Sequence, residues 1–257
     1  MRCCLRLVLA ALVALLPLGC RAQKKAERWN IEVVKEYPHD TGSYTQGLFF
    51  HEGRLFETTG LNGKSTLRIN DLATGQAQES RKFSRKYFAE GSVVLGDRLY
   101  VLTWTNKVVF VYDPETLEYR STWSYPREGW GLTTDGRSLI ASDGSSKLYF
   151  MTPDLKVEKT LTVTLNGRPL RLLNELEWID GKIWANIYTT DSIAVIDPKT
   201  GAVEALIDCS GLLPDKLRTQ DTDVLNGIAV LGKGRSQRIF LTGKNWPRLY
   251  EVRIVKK

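Results

Sequence analysis

The chain has 257 residues, 42% of them hydrophobic and 25% charged, the composition of an ordinary globular protein with room for one large all-β domain or two smaller ones. The net charge is +7, yet Lys and Arg are scattered along the chain, so nothing in it resembles a nucleic-acid recognition module and basic solubility is the reading.

At the N-terminus Arg2 and Arg6 flank the start of an apolar run, LVLAALVALLPLG. It is short for a membrane span and fits a secretory signal over residues 1–19. The run ends in Leu18-Gly19-Cys20, which resembles a bacterial lipobox with lipid attached to Cys20, although Pro17 and Leu18 depart from the preferred pattern. The expected destination is the bacterial periplasm, as a membrane-anchored lipoprotein. Cys3 and Cys4 would leave with the signal and lipid would occupy Cys20, so Cys209 stands alone and no intrachain disulfide is expected. Cys209 reads as a small buried residue at a strand end, because neither His39 nor His51 sits near it in a nucleophile motif.

A polar linker over residues 20–28 precedes a single domain expected over 29–257. Residues 29–38 alternate as a strand, with Ile31, Val33 and, after a slip at Val34, Tyr37. Five units follow on one frame: a polar or aromatic residue, a Gly or Glu, a short apolar strand, a turn, and a second apolar strand. The frame places Gln46, Glu90, Trp130, Asn174 and Asn226 in register, with steps of 44, 40, 44 and 52 residues by subtraction. A period of 40 to 50 residues with several short strands per unit predicts a five-bladed β-propeller. Second strands are predicted at 54–58, 98–103, 138–142, 182–187 and 237–242, and third strands most clearly at 108–112 and 193–196. Asp-led turns such as Asp113-Pro114-Glu115-Thr116 and Asp197-Pro198-Lys199-Thr200-Gly201 separate third from fourth strands and read as turn chemistry only. The last unit lacks an outer strand, so the segment at 29–38 is expected to close the ring beside residues 249–255. Two longer connections, 165–173 and 210–225, are expected to rim the pocket face, the second with a short helix.

The innermost strand of each blade lines the channel, so the five frame residues form a ring. A second set, 14 residues further on, contains Trp104 and Tyr188, and a turn longer by about 4 residues in the last unit brings Lys244 to the same slot. One carboxylate, three amides, an ammonium and aromatic faces suit a small polar ligand held against aromatic walls. Each residue alone has a plainer account, as core, turn or solvated charge; their coincidence at matched repeat positions points to a pocket.

YTQGL at Tyr44, FAEG at Phe88, TW at Thr103, EGWGLT at Glu128, LNELEWIDGKIWAN at Leu173, LNGIA at Leu225 and TGKNWPRLYEV at Thr242 together resemble the plant-type glutaminyl-peptide cyclotransferases, also found in bacteria. The resemblance implies a five-bladed propeller that converts an N-terminal glutamine to pyroglutamate with loss of ammonia. It implies Glu90 as the catalytic acid and base, and Gln46, Trp104, Trp130, Asn174 and Lys244 as pocket residues, with Tyr44 and Phe88 at positions aromatic in relatives. Tyr188 stands where a relative carries Trp, and Ala89 where one carries a larger side chain, which bears on pocket width. No cofactor and no metal are required, and the expected partners are peptides or proteins with N-terminal glutamine, acted on by a monomer. The rival readings are a non-catalytic exported propeller serving as a binding platform, and glycoside hydrolysis. The latter needs two opposed carboxylates, whereas Glu175 and Glu177 beside Asn174 are expected to face away from it.

Overall fold

The first four repeat units each fold into a four-stranded antiparallel sheet and the fifth into three strands completed by an N-terminal one; the inner strands are buried, and in the first three blades the outermost strand is largely exposed. The structure is a computed structural model that describes residues 25–256; the segment expected to be a signal sequence and Cys20, the expected lipidation site, lie outside the described residues. Strand β1 (Glu27–Pro38) comes first. Blade one is β2 (Thr45–His51), β3 (Arg54–Thr59), β4 (Thr66–Asn70) and β5 (Ala77–Lys82), and blade two is β6 (Ala89–Leu95), β7 (Arg98–Thr103), β8 (Val108–Tyr112) and β9 (Tyr119–Ser124). Blade three is β10 (Leu132–Thr134), β11 (Leu139–Ser142), β12 (Lys147–Met151) and β13 (Val157–Thr162), followed by a small hairpin of β14 (Thr164–Leu165) and β15 (Arg168–Pro169). Blade four is β16 (Leu173–Ile179), β17 (Lys182–Ile187), β18 (Ser192–Ile196) and β19 (Val203–Asp208); blade five is β20 (Leu225–Leu231), β21 (Arg238–Gly243) and β22 (Arg248–Lys256). The helical expectation for the second long connection resolves as one 3-10 turn, Asp215–Leu217.

Closure follows the expected route. β1 pairs antiparallel with β22, from Trp29 opposite Lys256 to Pro38 opposite Arg248, with a register shift between Val33 and Lys35 where the sequence slips. It begins at Glu27, two residues before the sequence-predicted start, because residues 27–30 also pair in parallel with Ala205–Asp208 of β19. One strand therefore sews blades four and five into a continuous eight-stranded sheet.

Packing completes the ring. Period-2 alternation gives every blade two apolar faces, and these meet in five clusters, one between each pair of neighbours. Phe56, Leu67, Leu99 and Val101 lie between blades one and two, and Phe240, Leu249, Leu48 and Leu55 between blades five and one. Cys209 is buried in the cluster of blades four and five, where burial pushes its thiol pKa up. The Asp-led turns are the expected Asx type: Asp113 Oδ1 accepts from the Glu115 and Thr116 amides at 2.8 and 3.0 Å.

Candidate active site

Four of the five inner strands break register at the frame residue. The shifts fall between Thr45 and Gly47, Ala89 and Ser92, Leu173 and Leu176, and Leu225 and Ile228. A bulge leaves one residue out of the ladder and re-aims its side chain, and here it spans Gln46, Glu90, Asn174 and Asn226. In this way the repeat frame becomes a site.

Gln46, Glu90, Trp130 and Asn174 line a cavity of about 180 Å³ at one mouth of the channel. Trp104, Tyr188 and Lys244 reach it from the ends of second strands, and Tyr44 and Phe88 from the residues just before β2 and β6. All nine predicted pocket residues are thus brought together. Asn226, the fifth frame residue, lies beneath the pocket rather than on its wall: its Nδ2 donates to Gln46 Oε1 at 3.2 Å and to the Thr45 carbonyl at 2.9 Å. That fixes the Gln46 amide, whose Nε2 donates to Glu90 Oε1 at 3.2 Å.

Burial pushes the Glu90 carboxyl well above the usual carboxylate range; the Lys244 ammonium pulls it down and the Glu128 carboxylate adds to the rise. Lys244 is 3% exposed, and burial lowers its pKa against the opposing pull of Glu90 and Asp223. Its Nζ sits 4.8 Å from the centre of the Tyr44 ring and 4.9 Å from that of Tyr188, two cation–π contacts in place of a close counter-ion. Among the described residues, neither the Asn174 side-chain amide nor Lys244 Nζ has a hydrogen-bonded protein partner. Both remain available to a ligand.

The second-strand slot alternates in a way the sequence reading did not register. Fourteen residues beyond Gln46 and Trp130 stand Gly60 and Gly144, in the slot that holds Trp104 and Tyr188 in the other blades. A Cβ on Gly60 would lie 2.3 Å from the Phe88 ring, and one on Gly144 2.6 Å from the Trp130 ring. The two glycines leave the space those rings fill.

Several polar contacts escaped the sequence reading. Glu128, inside the quoted EGWGLT motif, accepts from Trp104 Nε1 at 2.9 Å and from Trp130 Nε1 at 3.3 Å. Asp223 accepts from the Tyr44 hydroxyl at 2.6 Å. Glu175, in the frame position that is Gly in the other four units, turns into the hub below the pocket and accepts from the amides of Leu48 and Ile228 at 3.2 and 2.9 Å. Burial, with Glu177 beside it, pushes the Glu175 pKa well up. Glu177 accepts from the Val230 amide at 3.2 Å, and its burial raises its pKa to about 8. Both acids stay off the cavity wall, as alternation predicts, and bond backbone amides within the inner strands β2 and β20. Among the described residues one group of three metal-type ligands converges, His51, Glu52 and Glu115, at the far end of β2 from the pocket.

Fold and site define a five-bladed propeller with a small-ligand pocket at its hub, carrying one buried acid, one buried ammonium and an aromatic collar. The family model described as "Glutamine cyclotransferase" matches residues 6–254. A glutaminyl-peptide cyclotransferase of Arabidopsis thaliana is 44% identical over 229 residues, 87% of this chain and 71% of that protein. The crystal structure of Myxococcus xanthus glutaminyl cyclase superposes with a TM-score of 0.83 at 39% identity, covering 91% of this chain and 100% of that one. The chain belongs to the glutamine cyclotransferase family.

Proposed function

We propose that the hub pocket cyclises the N-terminal glutamine of peptides and proteins to pyroglutamate, releasing ammonia. Family membership supports the reaction, and one observation supports its placement: a buried, amide-held Glu90 carboxyl faces an unbonded amide and an unbonded ammonium inside an aromatic collar. The α-amine nitrogen attacks the γ-carbonyl carbon and forms the ring bond. Glu90 takes a proton from that nitrogen and delivers one to the departing amide nitrogen, so the bond to nitrogen breaks with ammonia as the neutral leaving group. Gln46, held by Asn226, orients Glu90. Asn174 and Lys244 face the γ-carbonyl and the oxyanion that develops on it. Trp104, Trp130 and Tyr188 fold the flexible glutamine side chain into attack geometry and exclude water.

In this reading the reaction is an acyl transfer from the γ-amide to the chain's own α-amine, and it requires no metal. The N-terminal signal and Cys20 support export and lipid anchoring, with substrates met after their own signal sequences are removed, and the chain acts as a monomer. Incubating the protein with a Gln-initiated peptide, with and without a chelator, tests the proposal. The expected outcome is ammonia release and the matching mass loss at equal rates in both. Absence of turnover would favour a binding platform, and loss of turnover with chelator would indicate a metal-dependent reaction.

A further inference from the structure

The aromatic wall of the pocket is two separate chains of rings. Tyr44 meets Phe88 edge-on with centroids 6.3 Å apart, and Phe88 meets Trp104 in the same way at 5.6 Å. Trp130 meets Tyr188 edge-on at 5.7 Å. On one side the gap between the chains is bridged by the Lys244 ammonium, which touches both Tyr44 and Tyr188. On the other side, between Trp104 of blade two and Trp130 of blade three, the bridge is Glu128, a single carboxylate oxygen of which accepts from both indoles.

We propose that Glu128 is a positioning residue for the reaction at the hub: its carboxylate ties Trp104 to Trp130 across the pocket mouth and closes the collar that shapes the substrate. The need for a tie is physical. Trp104 is 40% exposed and follows the end of β7, so ring contact with Phe88 alone leaves its rotamer weakly held. Glu128 itself is well anchored. The next residue, Gly129, donates its amide to the Thr103 carbonyl at 3.0 Å, and a Cβ there would lie 2.6 Å from Leu102, so the segment packs directly on β7. Hydrogen bonds to an ionised acceptor are the stronger kind, and two donors from different blades on one oxygen fix both rings relative to each other. Glu128 does not line the cavity and moves no proton. Beside its like-charge influence on Glu90, it acts through the two tryptophans, and only that part of its effect is coupled to the Trp104 indole.

The inference rests on the proposed cyclisation, and the experiment separates the two. Glu128→Ala, Glu128→Gln, Trp104→Phe and the double variant Glu128→Ala/Trp104→Phe are compared with wild type on a Gln-initiated peptide. In parallel, the exchange protection of the indole N–H groups is followed by nuclear magnetic resonance. Glu128→Ala is expected to lower kcat/KM about tenfold with an unchanged melting temperature. Glu128→Gln, which keeps an accepting oxygen, recovers most of the loss. Phenylalanine has no N–H to tie, so the double variant is expected to lose far less than the product of the two single losses. Glu128→Ala activity within about twofold of wild type, or losses that simply multiply in the double variant, would overturn the proposal. An inactive wild type would instead remove the cyclisation reading. The tie then stands or falls on the indole protons, which must lose protection in Glu128→Ala.

Discussion

At Glu90 two opposed influences meet: burial disfavours its charge, while the Lys244 ammonium favours it. The same pair of influences acts on Lys244 with reversed sign, so each group's proton affinity depends on the other's presence. A carboxyl in that situation can hold or release a proton at modest cost, as a shuttle must. The ring residues depend on an equally local condition, the missing side chain at Gly60. Its φ is not in the left-handed region, so alanine meets no backbone strain there, but the new Cβ would overlap the Phe88 ring and push it into the cavity. Gly60→Ala is therefore expected to keep the melting temperature within about 3 °C, since the ring has the pocket to move into, while lowering kcat/KM at least about tenfold. Steady-state kinetics beside a thermal melt check this, and a folded variant with unchanged kcat/KM would show that Phe88 does not shape the site.

The strands were the most legible element. The stretches predicted at 98–103, 182–187 and 108–112 coincide with β7, β17 and β8, because apolar alternation bounded by Gly and Asp turns is local information. The partner of β1 was legible for a different reason, since a ring one strand short has one place left to close. Its parallel pairing with β19 was not, because that contact lies between blades that an antiparallel count treats as separate. The hub bulges were also hidden. They are registers between strands, and a sequence frame aligns residues without saying which of them the ladder skips. The same limit explains Asn226, read as a wall residue and found supporting Gln46 from below, and Glu128, whose partners Trp104 and Trp130 become neighbours only when blades two and three pack. Glu175 is the instructive case: the frame showed an acid where the other units carry Gly, yet only the fold brings Leu48 and Ile228 to it.

Closure of the whole ring carries its own buried charge pair. His39, just past β1, directs Nδ1 at the Trp246 carbonyl at 2.8 Å and Nε2 at Glu57 Oε1 at 3.1 Å. Both ring nitrogens thus face acceptors and the imidazole is held as a cation. Thr45 and Asn70 donate to the same Glu57 carboxylate, each at 2.7 Å, so the network links blade five to blade one. Burial alone would lower the His39 pKa, but Glu57 leaves it raised above its ordinary 6.5. Burial would raise Glu57, but His39 brings it down to about 2 from 4.5. The histidine's contribution to stability is therefore full below pH 6.5 and is lost as pH rises through its folded value, while that of Glu57 is full above 4.5 and is lost as pH falls toward 2. The pair stabilises most between these limits. Removing one partner of a buried pair typically costs about 3–5 kcal/mol, so His39→Ala is expected to melt roughly 10 °C below wild type at a pH between the two limits. The gap should narrow toward alkaline pH, and a gap independent of pH would argue against a charged pair. The central claim, that the hub carboxyl moves the proton in cyclisation, is tested most directly by the kcat of Glu90→Gln on a Gln-initiated peptide. The variant keeps the shape of the side chain and an acceptor for Gln46. The account predicts a fall of at least about a hundredfold in a protein that melts as wild type does; a folded variant turning over within about threefold of wild type would contradict it.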